Sequence, residues 1–453
     1  MKIHFIAIGG SAMHNLAIAL NRKGDLVTGS DDEIFEPSRT RLEKEGILPV
    51  ELGWDASKIT TDLDAVILGM HAHEDNPELL RAKELGVKIY SYPEFLYQQS
   101  KDKKRIVIGG SHGKTTITSM ILHVLQNLGM DVDYMVGAQL QGFDVMVKLS
   151  ESAPVMVIEG DEYLTSPIDR RPKFHLYMPD IALISGIAWD HFNVFPTFES
   201  YIRQFEIFAS LVPETGTLIY CDEDETVRQI ARNCTVTNKI PYSVPEYSIE
   251  NNKTILTCNR QQYHLQVFGK HNLMNLEGAR RVCNQLGVSD AEFYTQIQSF
   301  GGASKRLECI AESETCKIFK DFAHSPSKLK ATIDAVKEQF PDRRLVACME
   351  LHTYSSLNAS FLAQYQNCMN KADVAVVYFS EHALKIKRLP MLTPEEVFES
   401  FNRKDILVFN QSEIMKHWLS SLDLKQTNLL LMSSGNFDGI ALDDFAKELI
   451  VVK

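Results

Sequence analysis

No stretch of the chain approaches the ~20 consecutive apolar residues that a bilayer-spanning helix needs, so no membrane segment is expected. Cysteine is sparse and dispersed: eight in 453 residues, with no C-x-x-C pair. That distribution excludes a disulfide frame and a cysteine zinc site, and it reads as reduced core residues. A basic surplus is missing too. Lys plus Arg is 47 against 59 for Asp plus Glu, a net charge of −12, which repels phosphate backbones and anionic lipid. Neither nucleic acid nor a membrane is an expected partner, although a phosphorylated small molecule needs only local positive potential. Internal repeats and low-complexity segments are absent. The first residues, Met1-Lys2-Ile3-His4-Phe5-Ile6-Ala7-Ile8, run directly into Gly9-Gly10 with no leader pattern, so the expected compartment is the cytoplasm.

What is present is an ordinary globular composition, 44% hydrophobic and 23% charged, neither of which suits disorder. At roughly 150 residues per domain the length allows about three domains. Apolar runs at Ile3–Ile8, Leu26–Thr28 and Ala65–Leu68 flank a helical spacing over Met13–Arg22. Strand, helix and strand in alternation imply a parallel sheet with crossover helices. The charged stretch Ser100–Arg105 reads as a linker. A second α/β unit opens at Arg105–Ile108 and continues through strands Val155–Ile158 and Ile181–Ser185. A third follows residue 302, with strands over Arg344–Met349, Val374–Phe379, Ile406–Phe409 and Leu429–Met432. The expected domains are 1–104, 105–302 and 303–453.

The second unit opens on Arg105-Ile-Val-Ile-Gly-Gly-Ser-His-Gly-Lys-Thr-Thr, an apolar strand, a turn of small residues, and a helix starting near Thr115. Glycines such as Gly110 and Gly113 let backbone N–H groups close around phosphate oxygens at a helix N-terminus. Lys114 would neutralise charge between the terminal phosphates, and the Thr115 hydroxyl would hold Mg²⁺ or Mn²⁺. Ser111, His112 and Thr116 complete the loop, which predicts binding of ATP. Ile108 stands where the usual pattern has its first glycine.

Two strand ends carry metal-ligand chemistry. Val155-Met-Val-Ile-Glu159-Gly-Asp161-Glu162 puts a carboxylate at the C-terminal end of a strand, the edge that faces ligands in parallel sheets, so Glu159 can share the ion with Thr115. Ile181–Ser185 leads likewise to Trp189-Asp190-His191, where a neutral His191 imidazole could ligate a second divalent ion.

Taken in order, these residues resemble the Mur ligase family, ATP-dependent amide ligases of peptidoglycan synthesis. The family's G-T-H-G-K-T-T reads here Gly110-Ser-His-Gly-Lys-Thr-Thr, its E-A-D-E reads Glu159-Gly-Asp-Glu, and its D-H reads Asp190-His191. Gly269-Lys-His271-Asn272-Leu-Met-Asn275 matches G-x-H-N-x-x-N, which implies that His271, Asn272 and Asn275 hold adenine. Lys305-Arg306-Leu307 implies Arg306 on the nucleotide. Asp321-Phe-Ala-His324-Ser-Pro326 implies Asp321 on the ribose and His324 near the phosphates, with Lys114, Glu159, His191 and His324 as the catalytic group. The implied architecture is α/β in three domains: Rossmann-like, then a central P-loop ATPase, then Rossmann-like again.

Within the family, Ile3-His-Phe-Ile-Ala-Ile-Gly-Gly-Ser is similar to the I-H-F-x-G-I-G-G turn of the two branches that accept UDP-N-acetylmuramate, with Ala7 in place of the first glycine. This implies UDP-sugar binding by Gly9, Gly10, Ser11, Ser30 and Asp31. One branch adds L-alanine. The other, murein peptide ligase, adds L-alanyl-γ-D-glutamyl-meso-diaminopimelate in peptidoglycan recycling. Four segments resemble the second branch: Gly53-Trp-Asp-Ala-Ser57, Asp169-Arg-Arg-Pro-Lys173-Phe174, Asp321-Phe-Ala-His324 and Met432-Ser-Ser-Gly435-Asn-Phe437-Asp-Gly439. The expected acceptor is therefore the tripeptide, with L-alanine as the alternative.

Several residues depart from the pattern. Ser325 replaces a second histidine. Glu350-Leu-His352 stands where the recycling branch shows E-P-R, and His352 lacks the bidentate fork an arginine offers a carboxylate. Glu206 holds the spacing of a carbamylated lysine found in some members, or is a plain helix-face glutamate. His71-x-His73 has too few partners for zinc.

The implied reaction activates the lactyl carboxylate as an acyl phosphate, with hinges near residues 104 and 302 closing over it. The expected assembly is a monomer or weak homodimer. Two other classes remain: a P-loop kinase or regulatory NTPase, which needs only the phosphate loop, and a nicotinamide oxidoreductase built on the first hundred residues.

Overall fold

The computed structural model describes residues 1–451 except 71, 141, 167–168 and 190–193. The chain divides into two compact units, Met1–Ser243 with Leu276–Gln296, and Val244–Asn275 with Ile297–Lys453. Among the described residues the strands form four sheets.

The first unit holds two of them. Strands β1 (Lys2–Ile6), β2 (Leu26–Ser30), β3 (Ala65–Leu68) and β4 (Ile89–Ser91) lie parallel in the order β2-β1-β3-β4. The helix Ser11–Lys23 starts directly after Gly10 and stops at Gly24, whose φ of 102° a side chain would resist. Arg22 and Lys23 in its last turn face the negative end of the helix dipole. The second sheet runs β11-β10-β9-β5-β8-β6-β7, from β5 (Lys104–Gly109), β6 (Asp133–Met135), β7 (Val147–Lys148), β8 (Val155–Glu159), β9 (Ile181–Ile184), β10 (Thr217–Cys221) and β11 (Asn238–Tyr242). All its pairings are parallel except β6 with β7. All five residues of β8 are buried, and its first four, Val155–Ile158, form the unbroken apolar run that a strand covered on both faces requires.

The stretch expected to be a linker is instead fastened. The Arg105 guanidinium donates to the carbonyls of Ser100, Lys101, Lys103 and Met178 at 2.8–3.0 Å and stacks over Tyr97. A buried arginine with its donors satisfied fixes this segment between the helix Tyr92–Ser100 and β5.

The second unit contains a small antiparallel sheet, β12 (Tyr247–Glu250), β13 (Lys253–Cys258) and β14 (Gln261–Leu265). Its two-residue turns, Asn251-Asn252 and Asn259-Arg260, all have φ between 50° and 68°. Asparagine tolerates that region, and such turns match strand twist. The main sheet runs β15-β16-β20-β17-β18-β19, from β15 (Glu308–Glu312), β16 (Lys317–Asp321), β17 (Arg344–Leu351), β18 (Val374–Phe379), β19 (Leu407–Phe409) and β20 (Thr427–Met432). Only the edge strand β15 is antiparallel. On one face Leu329, Ile333, Leu362 and Val397 pack against Val377 and Leu430; on the other Met415, Leu419, Phe445 and Leu449 pack against Val376 and Leu431.

Candidate active site

The phosphate loop follows β5. Gly110 has φ 132°, and a Cβ there would lie 2.1 Å from Ser185 Oγ. Gly113, with φ 75°, turns the chain into the helix Lys114–Asn127. Both glycines are therefore required by geometry. The Ser111 amide donates to Gly186 O at 2.9 Å, tying the loop to the end of β9.

Lys114, the helix's first residue, donates to Gly110 O at 2.6 Å and to Glu162 Oε2 at 2.7 Å. Burial alone would lower its pKa, but the carboxylates of Glu162, Asp161 and Glu159 more than offset that and hold it raised. The Thr115 hydroxyl donates to Glu159 Oε1 at 2.7 Å, and the Gly137 amide donates to Glu159 Oε2 at 2.8 Å. Glu159 ends β8 beside the loop, with 8% of its surface exposed. Asp161 pairs with Lys173 at 2.7 Å.

A hydroxyl and a carboxylate this close are the hard oxygen donors that Mg²⁺ takes, with phosphate oxygens and water completing its shell. The residues present therefore fit a divalent ion. Among the described residues no group of three His, Cys, Asp or Glu side chains forms a metal site. Asp190 and His191, the expected second metal position, lie outside the described residues, as does His71 of the discarded zinc pair. Ser111 is buried in the loop and Thr116 in the first turn of the helix that follows. His112 holds its carbonyl against the Ser185 hydroxyl.

Three residues that sequence reasoning passed over belong here. Glu162, 1% exposed, takes Lys114 on one oxygen and the Tyr201 hydroxyl on the other. Tyr201 also meets Ser111. Gly137 leaves the room Glu159 occupies. Glu162 sits at the end of the Glu159-Gly-Asp-Glu motif, but its role, like those of Tyr201 and Gly137, shows only in contacts between distant parts of the chain.

At the N-terminal turn, Ala7 adopts φ 68°, the left-handed conformation that glycine favours. The Gly9 amide donates to Asp31 Oδ2 at 2.7 Å, and a Cβ on Gly9 would lie 2.9 Å from that oxygen. Gly10 and Ser11 begin the helix, and Ser30 ends β2 next to Asp31, so all five expected residues gather at one turn. Burial raises Asp31 to about 6, with the neighbouring Asp32 adding to the rise and the Gly9 amide opposing it. Lys58 also reaches this corner, donating to Ser30 Oγ at 2.9 Å, a cation the sequence did not reveal.

In the second unit Asp321 ends β16 and gives both oxygens to backbone amides, Oδ2 to Leu307 and Oδ1 to Ala323, each at 2.6 Å. It ties the turn that carries Arg306 to the loop that carries His324. Arg306 lies 4.6 Å over the Phe322 ring, and His324 Nδ1 is 2.8 Å from Phe322 O. His271 lines a cavity of about 680 Å³ with Lys270, Ser327, Lys330 and Lys371, and burial depresses it to about 4. Asn272 donates to Phe268 O, and Asn275 is buried nearby in sequence. Ser325 precedes the helix Pro326–Gln339. Glu206 pairs with Arg203 on an exposed helix face, as a plain surface glutamate would.

Glu350 is buried at the end of β17. Its Oε2 accepts the Ser433 hydroxyl and the Phe437 amide, and its Oε1 is 3.5 Å from His352 Nδ1. A Cβ on Gly435 would lie 2.6 Å from His352 Nδ1. The helix after β17 covers one face of the sheet and the helix after β20 the other. Adjacent strands whose connections part this way open a crevice at their C-terminal ends, where ligands bind in such sheets.

Comparison with known proteins accounts for these parts together. Three family descriptions match in order: "Mur ligase family, catalytic domain" over residues 2–104, "Mur ligase middle domain" over 108–283 and "Mur ligase, glutamate ligase domain" over 305–435. The UDP-N-acetylmuramate–L-alanine ligase of Sulfurihydrogenibium sp. is 32% identical over 83% of this chain and 82% of that protein.

The chain belongs to the Mur ligase family.

It is thus an ATP-dependent, ADP-forming carbon–nitrogen ligase with the three-domain α/β architecture of its family. The UDP-N-acetylmuramate–L-alanine ligase of Carboxydothermus hydrogenoformans is 28% identical over 97% of this chain and 95% of that protein. Among solved structures, the alanine ligase of Thermotoga maritima has a TM-score of 0.72 at 21% identity, covering 100% of this chain and 99% of that one. The murein peptide ligase of Psychrobacter arcticus has 0.65 at 22%, covering 100% and 98%. Both branches share the fold, so the expected placement beside murein peptide ligase is not confirmed.

Proposed function

We propose that this Mur ligase joins the lactyl carboxylate of UDP-N-acetylmuramate to the α-amine of an L-alanine residue, in peptidoglycan synthesis. The observation that carries the reading is the Thr115–Glu159 pair beside Lys114 in a chain whose full length follows relatives named for this sugar nucleotide. Free L-alanine is the acceptor those relatives favour. His352 suits it as well, since it lacks the arginine fork expected for a peptide carboxylate. The second reading, L-alanyl-γ-D-glutamyl-meso-diaminopimelate in recycling, rests on the four segments that resemble murein peptide ligase.

In either case a carboxylate must approach a polyphosphate, and neutralising charge is the main demand. Lys114 and the amides of residues 110–116 would hold the phosphates. Thr115 and Glu159, with His191 for a second ion, would hold Mg²⁺, which supplies further neutralisation. Attack on the γ-phosphate releases ADP and leaves an acyl phosphate, and the acceptor amine displaces the phosphate. We assign adenine to His271, Asn272 and Asn275, and ribose and phosphates to Asp321, Arg306 and His324. The UDP moiety goes to Gly9, Gly10, Ser11, Ser30 and Asp31, and the acceptor to the crevice at Glu350, His352 and Gly435. The corresponding domains are 1–104, 105–302 and 303–453. Lys114→Met tests the assignment: ATP affinity should fall by at least tenfold, and unchanged affinity would remove the loop from the reaction.

A further inference from the structure

Tyr201 lies in the first turns of the helix Phe198–Ser210, wholly buried, its ring packed 5.5 Å from Phe195 and 5.2 Å from Phe205. Aromatic packing would suffice to explain a phenylalanine there. The hydroxyl is not explained by packing. It donates to Glu162 Oε1 at 3.0 Å and lies 2.9 Å from Ser111 Oγ. A phenol has one proton to give, and Glu162, paired with Lys114 through Oε2, is an acceptor. The Ser111 hydroxyl must therefore donate to Tyr201, while Ser111 Oγ accepts the Ala188 amide at 3.0 Å. One ordered chain runs Ser111 to Tyr201 to Glu162, with Lys114 donating to the far oxygen.

We propose that Tyr201 is a positioning residue for ATP use: its hydroxyl fixes Glu162, which places the Lys114 ammonium, and it ties the same pair to the phosphate loop through Ser111. This rests on the loop being the ATP phosphate site. Glu162 is 1% exposed, so its orientation is set by the groups it pairs with, Lys114 and Tyr201 among them. A carboxylate removed from water must have its oxygens satisfied or it will turn, and turning carries Lys114 with it. Lys114 has a flexible four-carbon stem and holds a definite place only if its partner does.

The test uses the full-length enzyme carrying Tyr201→Phe, which keeps the ring and removes only the hydroxyl. kcat/KM for ATP should fall about tenfold, the scale of one lost charge-assisted hydrogen bond. KM for the sugar nucleotide and the melting temperature should stay near wild type, a split that a general packing defect would not give. Because Tyr201 acts through Glu162, Tyr201→Phe added to Glu162→Gln should cost little more than Glu162→Gln alone. Wild-type kcat/KM in Tyr201→Phe, or fully additive losses, overturns the proposal. Lys114→Met separates the two failures: if it loses ATP affinity while Tyr201→Phe does not, the loop assignment stands and Tyr201 has no role. If Lys114→Met binds ATP normally, both fall. Should Tyr201→Phe not fold, Ser111→Ala cuts the chain at its other end and must lower kcat/KM for ATP several-fold; no change overturns the proposal.

Discussion

Gly137 and Glu159 are matched so closely that no side chain fits between them: a Cβ on Gly137 would lie 2.7 Å from Glu159 Oε1, while its amide holds Oε2 at 2.8 Å. The carboxylate proposed to hold Mg²⁺ is thus oriented by the Thr115 hydroxyl on one oxygen and a backbone amide on the other. Gly137→Ala should displace it by a few tenths of an ångström or more. A misplacement of about 1 Å can cost about 10²-fold in rate, so steady-state kinetics should show a several-fold or larger loss in kcat with the melting temperature nearly unchanged. Glu159→Ala should abolish turnover. Wild-type rates in either variant would refute a metal-holding role for Glu159.

Asp31 supplies a pH signature at the sugar-nucleotide turn. Its folded pKa of about 6 lies above the ordinary 3.8, chiefly through burial. Between those values the folded chain binds a proton that the unfolded chain releases, so this group's contribution to stability declines as pH rises from about 4 to 6. Asp31→Asn should flatten the fall of melting temperature across that window. An unchanged profile would mean that Asp31 is better solvated than its position indicates.

His271 acts with the opposite sign. Burial lowers it from 6.5 to about 4, so the unfolded chain takes up a proton first as pH falls. Its contribution is complete above 6.5 and declines as pH drops from 6.5 towards 4. Replacement by asparagine should remove that part of the acid destabilisation, read from urea midpoints at pH 7 and pH 4.5. Parallel losses in both proteins would contradict the assignment.

Gly435 and His352 are the corresponding pair at the proposed acceptor crevice. Gly435→Ala would bring a Cβ to 2.6 Å from His352 Nδ1 and 2.9 Å from Glu350 Oε2, forcing the imidazole aside. KM for the acceptor should rise roughly tenfold or more on the scale of a lost charge-assisted contact, while KM for ATP stays constant. A rise in KM for ATP alone would move the crevice to the nucleotide.

Local pattern made much of this legible. The strand, small-residue turn and helix around Lys114 are contiguous, and so are the Gly9-Gly10 turn and the apolar strands of both main sheets. Strand ends were displaced by a residue or two, because burial continues past the apolar run, as at Glu159 in β8. What stayed hidden depends on long-range contacts: Tyr201 reaches Ser111 and Glu162, and Lys58 reaches Ser30, across stretches with no repeating pattern. The hairpin sheet β12–β14 was overlooked although Asn251-Asn252 marks one of its turns. The Arg105 clamp looked like a charged linker because a run of Lys and Asp conceals which cation is buried.

The most direct test is ADP release by the purified full-length protein with Mg²⁺, ATP and UDP-N-acetylmuramate, in the presence of either L-alanine or L-alanyl-γ-D-glutamyl-meso-diaminopimelate, with the product identified by mass. ADP release should require both the sugar nucleotide and an acceptor bearing an L-alanine amine, and the product should weigh the sum of the two less one water. Turnover with free L-alanine matches the favoured reading, and turnover with the tripeptide alone establishes the second. ADP formed without any amide product would contradict the proposed ligation of UDP-N-acetylmuramate.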